Sequence, residues 1–404
     1  MLHDLPPPTL VQDARCLERM LADAERHAEI AVDTEADSFF SYREKVCLIQ
    51  VSFEERDYLV DPLAGFDLAP LGALTADPRK VKVFHDAEYD VLLLKRSLGF
   101  TFQNLFDTRV AAATLGSKTP GLATVLQERF GIELDKSMQR SNWGERPLSE
   151  RQIRYARLDT RFLITLMREQ RPELEQRDRL CIVEGECRRL EKLEPPENDF
   201  DPEEWVRLKG ARTLQPPERR ILRELFVLRD RLAEASDQPP FRIMNNETLI
   251  ELARRRPHVA QELSEVTGFT WKQVRRLGED VLAVVARARE LPPISAFPEL
   301  ESRDGTGELD ELQLELHERL KTLRKTWAEQ LDTDPAYVIN RHVLLRLAKE
   351  QPRDWDALER MPGLDDWQLD DFGEELLEAI ERFRDDVQTG KFQPKRRRWR
   401  GPAR

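Results

Sequence analysis

Laid against itself with a displacement of 95 residues, the C-terminal half of this chain matches without a gap. Pro240 meets Pro335, Asn245 meets Asn340, and Leu249, Leu252 and Ala253 meet Leu344, Leu347 and Ala348. Further along, Pro257 meets Pro352, Leu263 meets Leu358, Gly268 meets Gly363, Gly278 meets Gly373 and Leu282 meets Leu377. A repeat of this kind is one supersecondary unit present twice, each copy with apolar residues at helical spacing. Two all-helical units are therefore expected, at 212–291 and 308–387, each about 75 to 80 residues long and able to hold its own core. Acidic, proline-bearing stretches at Glu194 to Pro202 and Pro292 to Gly307 read as linkers.

Upstream the pattern changes. Glu29 to Val32, Cys47 to Val51, Tyr58 to Val60 and Val81 to Phe84 are strand-like, whereas Ala87 to Leu98 and Leu122 to Phe130 carry helical spacing. That succession predicts an α/β or α+β domain with a central sheet, and from Ser149 onward the chain turns helical almost to its end. With 404 residues, several domains are expected.

No run approaches the roughly 20 apolar residues needed to span a bilayer, and Met1 to Pro8 lacks the basic start and apolar core of a secretory signal. Cys16, Cys47, Cys181 and Cys187 show neither a CxxC pair nor zinc spacing, which suits a reducing compartment. A cytoplasmic protein is expected. The formal charge of −12 excludes a uniformly basic nucleic-acid coat, so any contact with nucleic acid must be local.

Three small clusters carry the chemistry. Ile30 to Val32 runs into Asp33-Thr34-Glu35, whose two acids share one strand face. Alone, such a pair is most often a solvated strand end. Val81 to Phe84 leads into His85-Asp86-Ala87-Glu88-Tyr89-Asp90. There Asp86 reads as an N-cap, while Asp90 is flanked by apolar residues and would be costly facing inward without a partner. Ser149 with Gln152 forms a capping-box pattern opening a helix, and in that helix Tyr155 and Asp159 stand four apart on one face.

Phosphodiester hydrolysis supplies a reason to combine them. It needs an activated water and a sink for charge on the leaving oxygen, and two hard cations provide both. Magnesium and manganese take carboxylate oxygens, so four acids suffice without His or Cys ligands. A tyrosine hydroxyl alongside can orient the water.

Asp33-x-Glu35, Asp90 and Tyr155-x-x-x-Asp159 resemble the three exonuclease motifs of the DEDD superfamily in its tyrosine-bearing branch. In order and flanking residues they are similar to the RNase D family, as is the stretch Leu134 to Trp143 followed by Arg146-Pro147-Leu148-Ser149. The repeats resemble HRDC domains (helicase and RNase D C-terminal), and essentially the whole chain is covered.

The resemblance implies a ribonuclease H-like α/β exonuclease domain with a central mixed sheet over residues 1–195, followed by two all-α HRDC domains. It implies that Asp33, Glu35, Asp90 and Asp159 bind two divalent ions, Mg2+ or Mn2+, and that Tyr155 positions the water. The activity implied is 3′→5′ exoribonucleolytic release of nucleoside 5′-monophosphates from structured RNA such as tRNA precursors. A monomer needing no small-molecule cofactor is expected. His85, Lys136 and Arg140 are candidate substrate contacts, although each equally suits a local structural or solvated role. Relatives often carry an aromatic where this chain has Ala36, so Phe39, Phe40 or Tyr42 is expected to replace it.

The last segment, 388–404, is a basic tail. Lys391, Lys395, Arg396, Arg397, Arg398, Arg400 and Arg404 surround Trp399 without an acid from 391 onward. It reads as a solvated tail, an RNA grip or an import signal. Two other functions fit the motifs less well. A DNA exonuclease would use the same acids, but no polymerase region, helicase region or P-loop accompanies them. An inactive RNA-binding scaffold would not need all four acids and the tyrosine.

Overall fold

The computed structural model describes residues 5–54, 56–196, 199–300 and 309–392. Of the basic tail, Lys391 falls within them, its Nζ 3.8 Å from Asp386; Lys395 to Arg404 lie outside the described residues.

The N-terminal domain is built on a six-stranded mixed sheet in the order β1-β4-β3-β2-β5-β6. In chain order its elements are β1 (Thr9–Val11), α1 (Ala14–Ala24), β2 (Glu29–Ala36), β3 (Val46–Phe53), β4 (Arg56–Val60), α2 (Ala69–Ala76), β5 (Val81–Phe84), α3 (Glu88–Leu98) and β6 (Leu105–Asp107). Then come α4 (Thr108–Thr114), α5 (Leu122–Phe130), α6 (Glu150–Arg161), α7 (Leu163–Gln176) and α8 (Leu180–Lys192). The β2-β3-β4 meander is antiparallel, while β5 pairs parallel with β2 and β6. β3 is buried along its whole length, as expected of a strand covered on both faces.

On one face Ile30, Val32, Ile49 and Val51 meet Leu71 and Leu74 of α2 and Leu94 of α3. On the other, Cys47 and Leu48 meet Ala156 of α6 and the buried Trp143. An ion pair pins α6 to that face: Arg157 donates through Nε to Asp57 Oδ2 at 3.0 Å and through Nη2 to the same oxygen. Ser52 Oγ gives Asp57 a further hydrogen bond at 2.8 Å.

The first helical unit contains α9 (Pro216–Ala235), α10 (Pro240–Ile243), α11 (Asn246–Arg255), α12 (Ala260–Ser264) and α13 (Trp271–Glu290). The second contains α14 (Glu311–Gln330), α15 (Pro335–Val338), α16 (Arg341–Glu350), α17 (Trp355–Glu359) and α18 (Asp366–Gln388). All five helices of each unit begin 95 residues apart, as the sequence repeat requires. Gly268 and Gly363 recur because both take positive φ, +81° and +94°. Gly278 and Gly373 recur for a packing reason. A Cβ would meet Leu263 at 3.3 Å in one copy and Trp355 at 2.8 Å in the other.

The stretch after α13 is not a free linker as far as it is described. Ile294 donates its N–H to Pro216 O at 3.1 Å, and Arg219 lies over the Phe297 ring at 4.1 Å. Its apolar residues close the first unit's core. Both units touch the N-terminal domain. Tyr42 Oη donates to Asp230 at 2.9 Å in the first unit. Tyr337 of the second packs against the N-terminal core, and Arg188 pairs with Asp365 at 3.1 Å. All four cysteines are free, and no described helix is long and apolar enough to cross a membrane.

Candidate active site

β5 pairs with β2 only as far as Ala31, so Asp33 to Ala36 lack a neighbour on that side. The gap opens at the C-terminal end of a parallel strand, the usual place for a site in such sheets. The turn from β5 into α3 lines it on one side and α6 on the other. The resulting cleft, about 400 Å³, is walled by Asp33, Glu35, His85, Asp90, Tyr155 and Asp159.

Asp33 and Glu35 project from the β2 face on which α6 packs, and Asp159 descends from α6 to meet them. One carboxylate oxygen from each of the three lies within 4.8 Å of the others. Asp90 lines the same cleft but stands outside this triad, with its Oδ1 accepting from Thr34 Oγ1. The donor set is all oxygen, which fits a hard divalent cation.

Crowding acids in a half-closed cleft is unfavourable without a cation. Burial, then the neighbouring Asp159 charge, pushes Asp33 well above the usual carboxylate range. Burial, then Asp33, Asp159 and Asp90, lifts Glu35 to about 10. Burial lifts Asp159 to about 8 against the opposing hydrogen bond from Tyr155. Asp90 is raised by burial and by Asp33.

Between the ordinary carboxylate pKa and about 8, the folded metal-free protein thus holds protons that the unfolded chain has released. Its stability must fall as pH rises through that window. The expected result is a metal-free melting temperature that declines from pH 5 to 8, with magnesium or manganese stabilising more at the higher pH. Thermal melts in EDTA and in metal across that range check it; a metal effect that shrinks with pH would contradict it.

Tyr155 leans on Trp143, ring centroids 5.9 Å apart. Burial, then Asp159 and Glu35, pushes its phenol far up, so its hydroxyl stays protonated. The loop before α6 is held by Arg146, which donates to both oxygens of Asp61 at 2.7 Å and to Trp143 O at 2.7 Å. The Ser149–Gln152 capping box then starts the helix.

His85 Nδ1 lies 2.9 Å from Thr108 Oγ1, while its Nε2 is buried. Burial lowers its pKa to about 4, so the ring is neutral. Arg140 is exposed, 6.0 Å from the centre of the Phe39 ring. Lys136 opens the 3₁₀ turn Lys136–Met138; its side chain lies outside what the structure describes.

Two expectations change. Asp86 is not a cap: Ala87 occupies the N-cap position of α3 without a side-chain bond, and Asp86 takes φ +71°. The capping group is Asp107 at the end of β6, whose carboxylate accepts from the N–H groups of Asp86, Ala87, Arg109 and Val110 at 2.7 to 3.2 Å. A partner this distant in sequence cannot be read from local spacing. Nor do Phe39, Phe40 or Tyr42 line the cleft. Phe40 lies under Arg242, Tyr42 is bound to Asp230, and the ring that joins Tyr155 in the wall is Tyr89, its Oη donating to Glu44 at 2.8 Å. Gln50 was also unread. It lies on β3 opposite Asp33 of β2, fully buried, with neither amide atom hydrogen-bonded. A lone amide inside the apolar run Val46–Phe53 was the available signal.

The chain resembles known proteins over most of its length. Residues 8–175 match the 3′–5′ exonuclease family, and 218–285 and 313–380 each match the HRDC domain. The chain is 31% identical to ribonuclease D of Gluconacetobacter diazotrophicus, over 92% of either chain. It is 35% identical to the exosome complex exonuclease RRP6 of Saccharomyces cerevisiae, over 67% of this chain and 39% of that one. Among solved structures, Escherichia coli RNase D, described as an exoribonuclease involved in structured RNA processing, superposes with a TM-score of 0.65 at 25% identity. That match covers 93% of this chain and 99% of the other.

Proposed function

The chain belongs to the ribonuclease D family and is a 3′→5′ exoribonuclease, and from that premise we propose that it is a divalent-metal enzyme trimming the 3′ ends of structured RNA such as tRNA precursors. The observation that carries metal dependence is the meeting of Asp33, Glu35 and Asp159 oxygens within 4.8 Å beside Tyr155. We assign metal binding to those three acids and Asp90, water positioning to Tyr155, and the domain limits to 1–195, 212–291 and 308–387, with a tail from 388.

Two divalent cations bound there would supply an activated water and a charge sink for the leaving 3′ oxygen. The chain's own residues do the rest. Asp33 and Glu35 come from a rigid central strand and Asp159 from a helix pinned by Arg157, so the acids cannot drift apart to relieve their repulsion. Tyr155, remaining protonated, orients the water by hydrogen bonding without ionising. Tyr89 offers a ring face to the terminal base, and His85, neutral and with its Nε2 buried, shapes the cleft wall beside the substrate.

Tyr155→Phe keeps the ring against Trp143 and removes only the hydroxyl. Turnover should fall by about 10- to 1,000-fold with RNA affinity little changed. Single-turnover kinetics beside equilibrium binding check this, and wild-type turnover would give Tyr155 a purely structural role.

A further inference from the structure

We propose that RNA leaving the cleft runs over an exposed aromatic and cationic track on the first helical unit, and that the second unit has surrendered the same face. This rests on RNA being the substrate. The track starts at the site itself. Phe39 follows the end of β2 that bears Asp33 and Glu35, and Arg140 follows Gln139, which lines the cleft. Arg140 lies 6.0 Å from the Phe39 ring centre, and Phe39 meets Phe241 of α10 edge to face, centroids 6.4 Å apart. Gln273 Nε2 then donates to Ile243 O at 3.4 Å, setting the start of α13 beside α10. There Trp271 stands next to Lys272, with Arg275 and Arg276 one turn on.

These side chains are not packing. Trp271 is 65% exposed, Phe241 53% and Phe39 44%. Lys272, Arg275 and Arg276 are exposed and have no carboxylate partner among the described residues. Scattered exposed rings need no explanation, but a row of rings running into unpaired cations forms the kind of surface that single-stranded nucleic acid uses, bases stacking and phosphates pairing. In a chain of formal charge −12 such a surface has to be local.

The repeat provides an internal control. At the same displacement of 95, Phe241 becomes Ala336, Trp271 becomes Asp366, Arg275 becomes Asp370 and Arg276 becomes Asp371. The buried positions beneath stay apolar or small: Val274 and Leu369, Leu277 and Phe372, Gly278 and Gly373. The core is kept while the outer face reverses its charge. In the second unit the corresponding region turns instead toward the nuclease domain, where Tyr337, Asp365 and Trp367 line a recess of about 440 Å³ against α8.

The test uses the full chain in EDTA, with anisotropy reporting binding of a trinucleotide and of a single-stranded RNA long enough to leave the cleft. Trp271→Ala should weaken the long RNA about fivefold or more. Lys272→Glu, Arg275→Glu and Arg276→Glu together should reduce the salt slope by about 2, at about 0.7 per phosphate. Trinucleotide affinity should not change. A control with the same charge change at exposed Lys321, Lys325 and Arg382 of the second unit should keep the slope. An unchanged slope in the first triple variant, or an equal loss in the control, overturns the track. If wild-type protein in magnesium degrades no RNA, the underlying activity fails instead, which is a separate result.

Discussion

Asp33→Asn and Asp159→Asn should each lower RNA hydrolysis by about 1,000-fold or more while raising the melting temperature of the metal-free protein. The first effect follows because Asn keeps size but withdraws a charged oxygen from the cluster, forfeiting several kcal/mol of transition-state stabilisation. The second follows because the acids repel one another in a cleft that raises all four pKa values; deleting one charge relieves the others. The two changes have opposite signs, which excludes misfolding as the cause of lost activity. Function and stability are opposed at this site, as is common where charges are gathered for a ligand. Hydrolysis rates and melts in EDTA read the pair directly. A variant that loses activity and also melts lower would mean that the acids hold the fold together.

The largest stability effect is expected away from the chemistry, at Asp57→Ala. Its carboxylate accepts from Arg157 Nε at 3.0 Å and from Ser52 at 2.8 Å, with Arg161 Nη1 3.8 Å away. Asp57 is 4% exposed and Arg157 7%, so removing the acid strands a buried guanidinium. Breaking such a pair costs about 3 to 5 kcal/mol, a large part of the about 5 to 15 kcal/mol that holds a typical domain. The damage should centre on α6, so Asp159 and Tyr155 would lose their positions before the helical units respond. Urea titration measures the cost, and a loss below about 1 kcal/mol would show that α6 is held by its apolar face alone.

What could be read from the sequence was whatever repeats or concentrates within a few residues. The helical units declared themselves through matched caps and glycines, because Asn245 and Asn340 cap equivalent helices and Gly268 and Gly363 take the same backbone turn. Asp33, Glu35, Tyr155 and Asp159 were legible because strand and helix periods put each pair on one face, and the structure brings these residues to one cleft. Asp107 was not legible. It sits in a three-residue strand too short to give a periodic signal and binds backbone about twenty residues away. Arg157 falls at an unspecified position of the Tyr155-x-x-x-Asp159 motif, and its partner lies 100 residues upstream. Asp90 was found as an acid in apolar company, but its attachment to Thr34 depends on how β2 outruns β5, a matter of sheet register.

Stepwise 3′ trimming that requires a divalent cation is measured most directly with 5′-labelled single-stranded RNA, and DNA of the same sequence, incubated with magnesium, with manganese and with EDTA. The expected result is a ladder of RNA products shortening one nucleotide at a time from the 3′ end, with release of nucleoside 5′-monophosphates, abolished by EDTA and by Asp33→Asn. Undiminished RNA cleavage in EDTA, or internal cuts in place of a ladder, would contradict it.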